Sequence, residues 1–179
     1  MNEQDIIDFW FREIPPDRWW AKDSAFDGAL AERFGAIHRA AARCELHEWR
    51  GSPQGRLAEV IVLDQFSRNI HRDDPRSFAC DPLALGLAQE AIRAGADAAL
   101  PPEQRVFLYM PFMHSESARI HQVAVKLFSA AGMEDNLDFE LKHKAIIDRY
   151  GRFPHRNAVL GRRSTPEELE FLQSAGSSF

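Results

Sequence analysis

Asp64 and Arg68 stand four residues apart in a stretch, Leu57 to Ile70, that is otherwise apolar nearly all round. At about 100° per residue they share a helical face with Leu57, Val60 and Ile61, while Val62, Leu63, Phe66 and Ile70 cover the other faces. A helix with so little polar surface belongs in a core. A charge without a partner is costly there, so the pair is expected either to sit in a tight structural network or to mark a site. Gln65 and Asn69 repeat the four-residue spacing on the neighbouring face. As a site, this row lines a pocket with donors and acceptors, and Arg68 is a forked clamp for carboxylate or phosphate. As structure, it is an internal salt bridge tying the helix to a loop.

A second concentration runs from Arg149 to Arg163 and holds five arginines and no acid, in a chain whose formal net charge is −5. Gly151, Pro154 and Gly161 make it a shaped loop, with Phe153 and Leu160 as apolar anchors. Arg152, His155, Arg156, Asn157 and Arg162 are then polar groups with fixed directions. They suit an anion-binding loop, or equally a staple in which the arginines cap helix ends and pair with Asp64, Glu116 or Glu59. Between the two segments, Met110 to Glu116 is expected to be a proline-broken helix followed by a fresh N-terminus. His114 and Glu116 there can transfer a proton or contribute to a metal site, or simply satisfy backbone groups. The Pro-Cys-x-x-Cys of zinc deaminases is missing, and no metal site or cofactor is assigned. His143 lies on a stripe with Phe139, Ile146 and Tyr150 and reads as a core histidine. Either His121 or Gln122 faces inward. No nucleophile elbow, phosphate-binding loop, dinucleotide fingerprint or calcium loop is present.

The elements that must position these residues all read as helices. Asp5–Glu13 stops before Pro15-Pro16, and Ser24–Arg43 follows a cap at Asp23 or Ser24. Gly51–Gly55 turns into the helix of Asp64. Asp81-Pro82 reads as an N-cap with proline at the first helical position, and Gly95 closes that helix. Pro101-Pro102 opens a helix that Pro111 is expected to interrupt. Ser115 or Ser117 caps another, running to Ala131 with Gly132 as its stop, and Glu134–Tyr150 follows. Thr165-Pro166-Glu167-Glu168 carries a capping box. Alternating strand patterns are absent. The expectation is an all-α protein of about eight or nine helices, in one domain over residues 1–173 with a frayed tail at 174–179.

Composition narrows the function classes. Hydrophobic residues make up 45% and charged residues 27%, with 13 Phe and four Trp in an aromatic-rich core. Negative net charge disfavours nucleic acid and anionic membranes as partners. No apolar run reaches the ~18 residues needed to span a bilayer. The acidic N-terminus is unlike a signal peptide, and Cys44 and Cys80 stand apart, so a reducing cytoplasm is expected.

Blocks spread along the chain resemble a bacterial family known as domain of unknown function 924. They include Phe9-Trp10-Phe11, Trp19-Trp20, Gly55-Arg56-Leu57-Ala58, Leu63-Asp64-Gln65-Phe66 with Arg68-Asn69, and Tyr109-Met110-Pro111. His114-Ser115-Glu116, Gly151 through Asn157, Leu160-Gly161-Arg162 and Ser164 through Glu168 continue the match. Ser67 stands where proline is expected and Tyr150 where phenylalanine is expected. The resemblance implies antiparallel helical hairpins in a tetratricopeptide-like superhelical domain, and carries over no activity or catalytic residue.

Two functional expectations follow. In the first, a pocket lined by Gln65, Arg68, Asn69, Arg152, Arg156, Asn157 and Arg162 binds a small anionic molecule. His114, Glu116, His155 and Asp64 would then supply acid–base chemistry of a hydrolase or lyase type. In the second, a helical scaffold holds a peptide or protein partner, and the same residues are internal struts. Trp19, Trp20 and Trp49 are its candidate contact points.

Overall fold

Helices form every regular element of the computed structural model, of which residues 1–130 and 132–177 are described; no strand occurs among them. The chain condenses into two units. The first comprises Met1–Arg72 and Arg76–Pro111, the second Asp73–Pro75 and the chain from Phe112 onward.

In the first unit, α1 (Glu3–Asp8) starts from a capping box between Asn2 and Asp5, then widens into a π turn over Phe9–Glu13. Its buried Ile6, Ile7, Phe9 and Trp10 join the unit's core. α2 (Ser24–Ala42) begins where the Asp23 carboxylate accepts the Ala25 and Phe26 amides, as the sequence indicates. Phe34 packs between Phe9 and Phe66, with ring centroids 4.5 and 5.2 Å away.

The helix bearing Asp64 has three parts. α3 (Pro53–Ile61) is capped by Ser52, Val62–Phe66 form a second π turn, and α4 (Ser67–Ile70) resumes the α pitch. Every residue from Leu57 to Ser67 is buried, so the helix does lie in a core. α5 (Asp81–Arg93) and α6 (Pro102–Met113) follow.

Two local expectations change here. Asp81 is the first residue of α5 rather than its cap; Cys80 takes the cap position without a side-chain bond. The Asp81 carboxylate is engaged by Arg68 instead. Pro111 does not interrupt α6, which continues through it to Met113. Proline removes one N–H, but neighbouring packing can carry a helix past the loss, and Leu108 through Met113 are all buried.

In the second unit, α7 (Ala118–Phe128) and α8 (Glu134–Tyr150) form a hairpin. α7 ends at Phe128, short of the expected Ala131, which lies outside the described residues. Gly132 (φ +83°) begins the turn into α8, and Gly151 (φ +70°) closes α8 in the left-handed conformation that favours glycine. The arginine-rich loop then leads to α9 (Pro166–Phe171), which has the capping box between Thr165 and Glu168 that the sequence shows. Ile146, Ile147 and Phe153 form one small core cluster of this unit, flanked by Tyr150 and Phe171. Of the tail, Ser174 and Ser177 donate their hydroxyls back to the Phe171 and Leu172 carbonyls. Residues 178 and 179 lie outside the described residues. No helix among the described residues is long and apolar enough to cross a membrane.

Candidate functional site

The first unit contains Asp64, Gln65, Arg68 and Asn69, all on or just beyond the second π turn. An extra residue in a helical turn re-aims the side chains around it, and such turns recur at functional sites. Asp64 is fully buried, with one carboxylate oxygen 3.2 Å from the Arg68 guanidinium and the other accepting the Gln65 amide at 2.6 Å. Arg68 also donates to the Asp64 carbonyl at 2.8 Å and to both oxygens of Asp81 at 3.0 and 3.1 Å. Burial opposes its charge, but Asp64 and Asp81 more than offset that and raise its pKa. The Asn69 amide donates to Asp27 at 2.8 Å, and Arg72 grips the same carboxylate with two bonds. These side chains are therefore bound chiefly to one another, in the arrangement of a strut.

Close by, Ser67 donates its hydroxyl to the Leu63 carbonyl at 2.5 Å, so the 2.8 Å contact with His38 Nε2 must be a bond donated by the imidazole. Burial pushes His38 down to about 4, which keeps it neutral near pH 7.

The second unit brings the remaining candidates together around the buried Phe153 ring. Glu116 accepts two bonds from the Arg162 fork, at 2.6 and 2.9 Å, and the Phe153 N–H at 2.8 Å. Burial alone would raise its pKa; the Arg162 bonds outweigh burial and hold it below the usual carboxylate range. Arg162 further donates to the Asn157 side chain at 2.9 Å and the Phe153 carbonyl at 3.1 Å. Asn157 reaches Ser164 and Glu168. Glu168 receives Arg152 through two bonds of 2.7 Å, and this contact above all lowers its pKa to about 2. Arg156 lies 4.6 Å over the Phe153 ring and donates to the His114 carbonyl at 2.9 Å, while the His155 ring is 5.5 Å from Phe153.

Sequence reasoning did not single out Glu140. It is fully buried against His121, with Nδ1 and Oε1 2.7 Å apart, while His121 Nε2 contacts the Ser115 carbonyl at 2.8 Å. The inward stripe of α8 is Glu140, His143, Ile146 and Ile147; Phe139, expected on it, is 49% exposed. Counting back three residues from His143 was the available signal. His143 donates to the Phe139 carbonyl at 2.8 Å, and burial drives it down to about 3.

On the surface of this unit a cleft of about 670 Å³ opens between the arginine-rich loop and α9. The loop contributes Pro154, His155, Ala158, Arg162, Arg163 and Ser164, and the helix side contributes Pro166, Leu169, Leu172 and Ser177. Among the described residues, three basic side chains line it and no acidic one does. The Arg163 side chain is exposed and makes no hydrogen bond or ion pair with another described residue. Among the described residues, no three His, Cys, Asp or Glu side chains are grouped to hold a metal ion.

Comparison with known proteins agrees with the fold. A family model described as "Bacterial protein of unknown function (DUF924)" matches residues 6–176. The solved structure of a protein of unknown function, ATU0120 from Agrobacterium tumefaciens, is 44% identical and superimposes with a TM-score of 0.90, covering 96% of each chain. No curated protein matches.

Proposed function

The chain belongs to the DUF924 family of bacterial proteins, whose description supplies no activity, and we propose from its own geometry that the cleft beside α9 binds a small anionic molecule. The carrying observation is the lining: His155, Arg162 and Arg163 with Ser164 and no acidic side chain among the described residues, in a chain of net charge −5. An acidic protein that keeps an acid-free basic concavity creates a local potential attractive to anions. Glu116 holds Arg162 from behind and fixes its direction, while Arg163 presents a fork that suits carboxylate or phosphate. His155 on the same lining is a residue type able to exchange a proton with a bound anion near neutral pH, which suits a hydrolase or lyase step. Asp64, Gln65, Arg68 and Asn69 then serve as struts of the first unit. Cys44 and Cys80 are free thiols, in keeping with a cytoplasmic protein.

Thermal-shift titration tests the proposal. Inorganic phosphate or small carboxylates at millimolar concentration should raise Tm, since a ligand at a hundred times its Kd stabilises by about 2.7 kcal/mol. Arg163→Gln, at an exposed position, should leave the ligand-free Tm unchanged and weaken the response at least several-fold. No stabilisation by any anion across a broad panel overturns the proposal.

A further inference from the structure

We infer that the ligand of this cleft is an anion carrying a short apolar tail, such as an alkyl carboxylate or an alkyl phosphate monoester. The inference rests on the anion-binding reading above and adds the chemistry of the other half of the molecule. Polar and apolar groups in the lining come from different elements. Arg162, Arg163 and Ser164 end the loop, whereas Pro166, Leu169 and Leu172 follow one another at intervals of three residues along α9 and its C-cap. That spacing puts the three on one side of the helix.

Leu169 is 54% exposed and faces the cleft rather than the core of its unit. Pro154 and Ala158 extend the apolar lining from the loop. A bare inorganic ion would satisfy the cationic rim and leave this surface in water. An alkyl or aromatic tail of a few carbons would cover it, and removal of apolar area from water drives association. The volume of about 670 Å³ falls in the range of small-molecule clefts, so a headgroup and a tail fit together.

The same chemistry occurs at the headgroup of an anionic membrane lipid. The net charge of −5 repels this chain from an anionic bilayer. The occupant is therefore a soluble amphiphile.

The experiment is a calorimetric titration of the whole chain with acetate, butyrate, hexanoate and octanoate, below their aggregation concentrations, and with the matching alkyl phosphates. Affinity should rise by roughly three- to fourfold for each methylene buried, as expected from apolar transfer, until the cleft is filled. Leu169→Ser should flatten the dependence on chain length and leave acetate and inorganic phosphate binding as before. Arg163→Gln should weaken all members of a series by a common factor. If acetate and phosphate bind but octanoate binds no better, the inferred tail is wrong while the anion site stands. If no anion binds, the site itself falls. Sedimentation with vesicles containing phosphatidylglycerol should leave the protein in the supernatant; pelleting with them overturns a soluble ligand.

Discussion

The Ser115 carbonyl can only accept a hydrogen bond, so the 2.8 Å contact from His121 requires a hydrogen on Nε2. A second contact, 2.7 Å from Nδ1 to Glu140, then needs one more proton, on the ring or on the carboxyl. Folding therefore fixes one proton in this pair. Burial raises the Glu140 carboxyl above the usual glutamate range, so its contribution to stability is complete below that range and is lost as pH rises through its folded-state value.

His143 and His38 behave oppositely. Burial lowers them to about 3 and about 4, so their contribution is complete above about 6.5 and lost as pH falls through that value toward their folded pKa. Denaturant titrations should show the Glu140 contribution declining as pH rises above the ordinary glutamate range. Glu140→Gln, which keeps a hydrogen-bonding group beside the ring and has no titrating carboxyl, should remove that decline at a cost of about 1–3 kcal/mol. Identical pH dependence in wild type and variant above the ordinary glutamate range would mean that Glu140 takes up no proton on folding. At this scale the sequence shows pairs within one helix turn, such as Asp64 with Arg68. It does not show Asp81, thirteen residues further on, or a partner across a hairpin, because no sequence period sets that register.

Element by element, legibility depended on how local the signal is. The capping box at Thr165 and Glu168 and the cap at Asp23 need only contiguous residues, and both were readable. A wheel drawn at a constant 100° assumes an unbroken α pitch, so it could not show the widened turn at Val62–Phe66 that re-phases everything after Ile61.

The start of that same helix is tightly constrained. A Cβ added at Gly55 would lie 1.9 Å from the Trp49 carbonyl oxygen and 2.8 Å from its carbon, both backbone atoms that cannot swing aside. Gly55→Ala should therefore cost about 3 kcal/mol, the upper part of the overpacking range, read as a lower urea midpoint. Gly86→Ala in α5 meets nothing within 4 Å and should stabilise by about 0.5–1 kcal/mol. Equal effects of the two substitutions would contradict the close approach at Gly55.

For the whole molecule, hydrophobic spacing was enough to indicate an all-helical chain, because a period near 3.6 recurs in nearly every segment. Division into two units was not visible, since no linker composition marks it. α6 belongs to both: its residues to Pro111 count in the first, and Phe112 and Met113 in the second. We therefore propose that residues 1–173 unfold as one cooperative domain, with equal calorimetric and van't Hoff enthalpies. Two resolved transitions would show that the units melt separately.

Helix α9 has six residues, well short of the ~12 at which a helix becomes even marginally stable in isolation. Its attachment falls largely to Glu168, which ties Arg152, Asn157 and the Thr165 amide to one carboxylate. That carboxylate resists protonation down to about pH 2, so the shutter it fastens over one side of the cleft stays latched in acid that has already discharged ordinary glutamates.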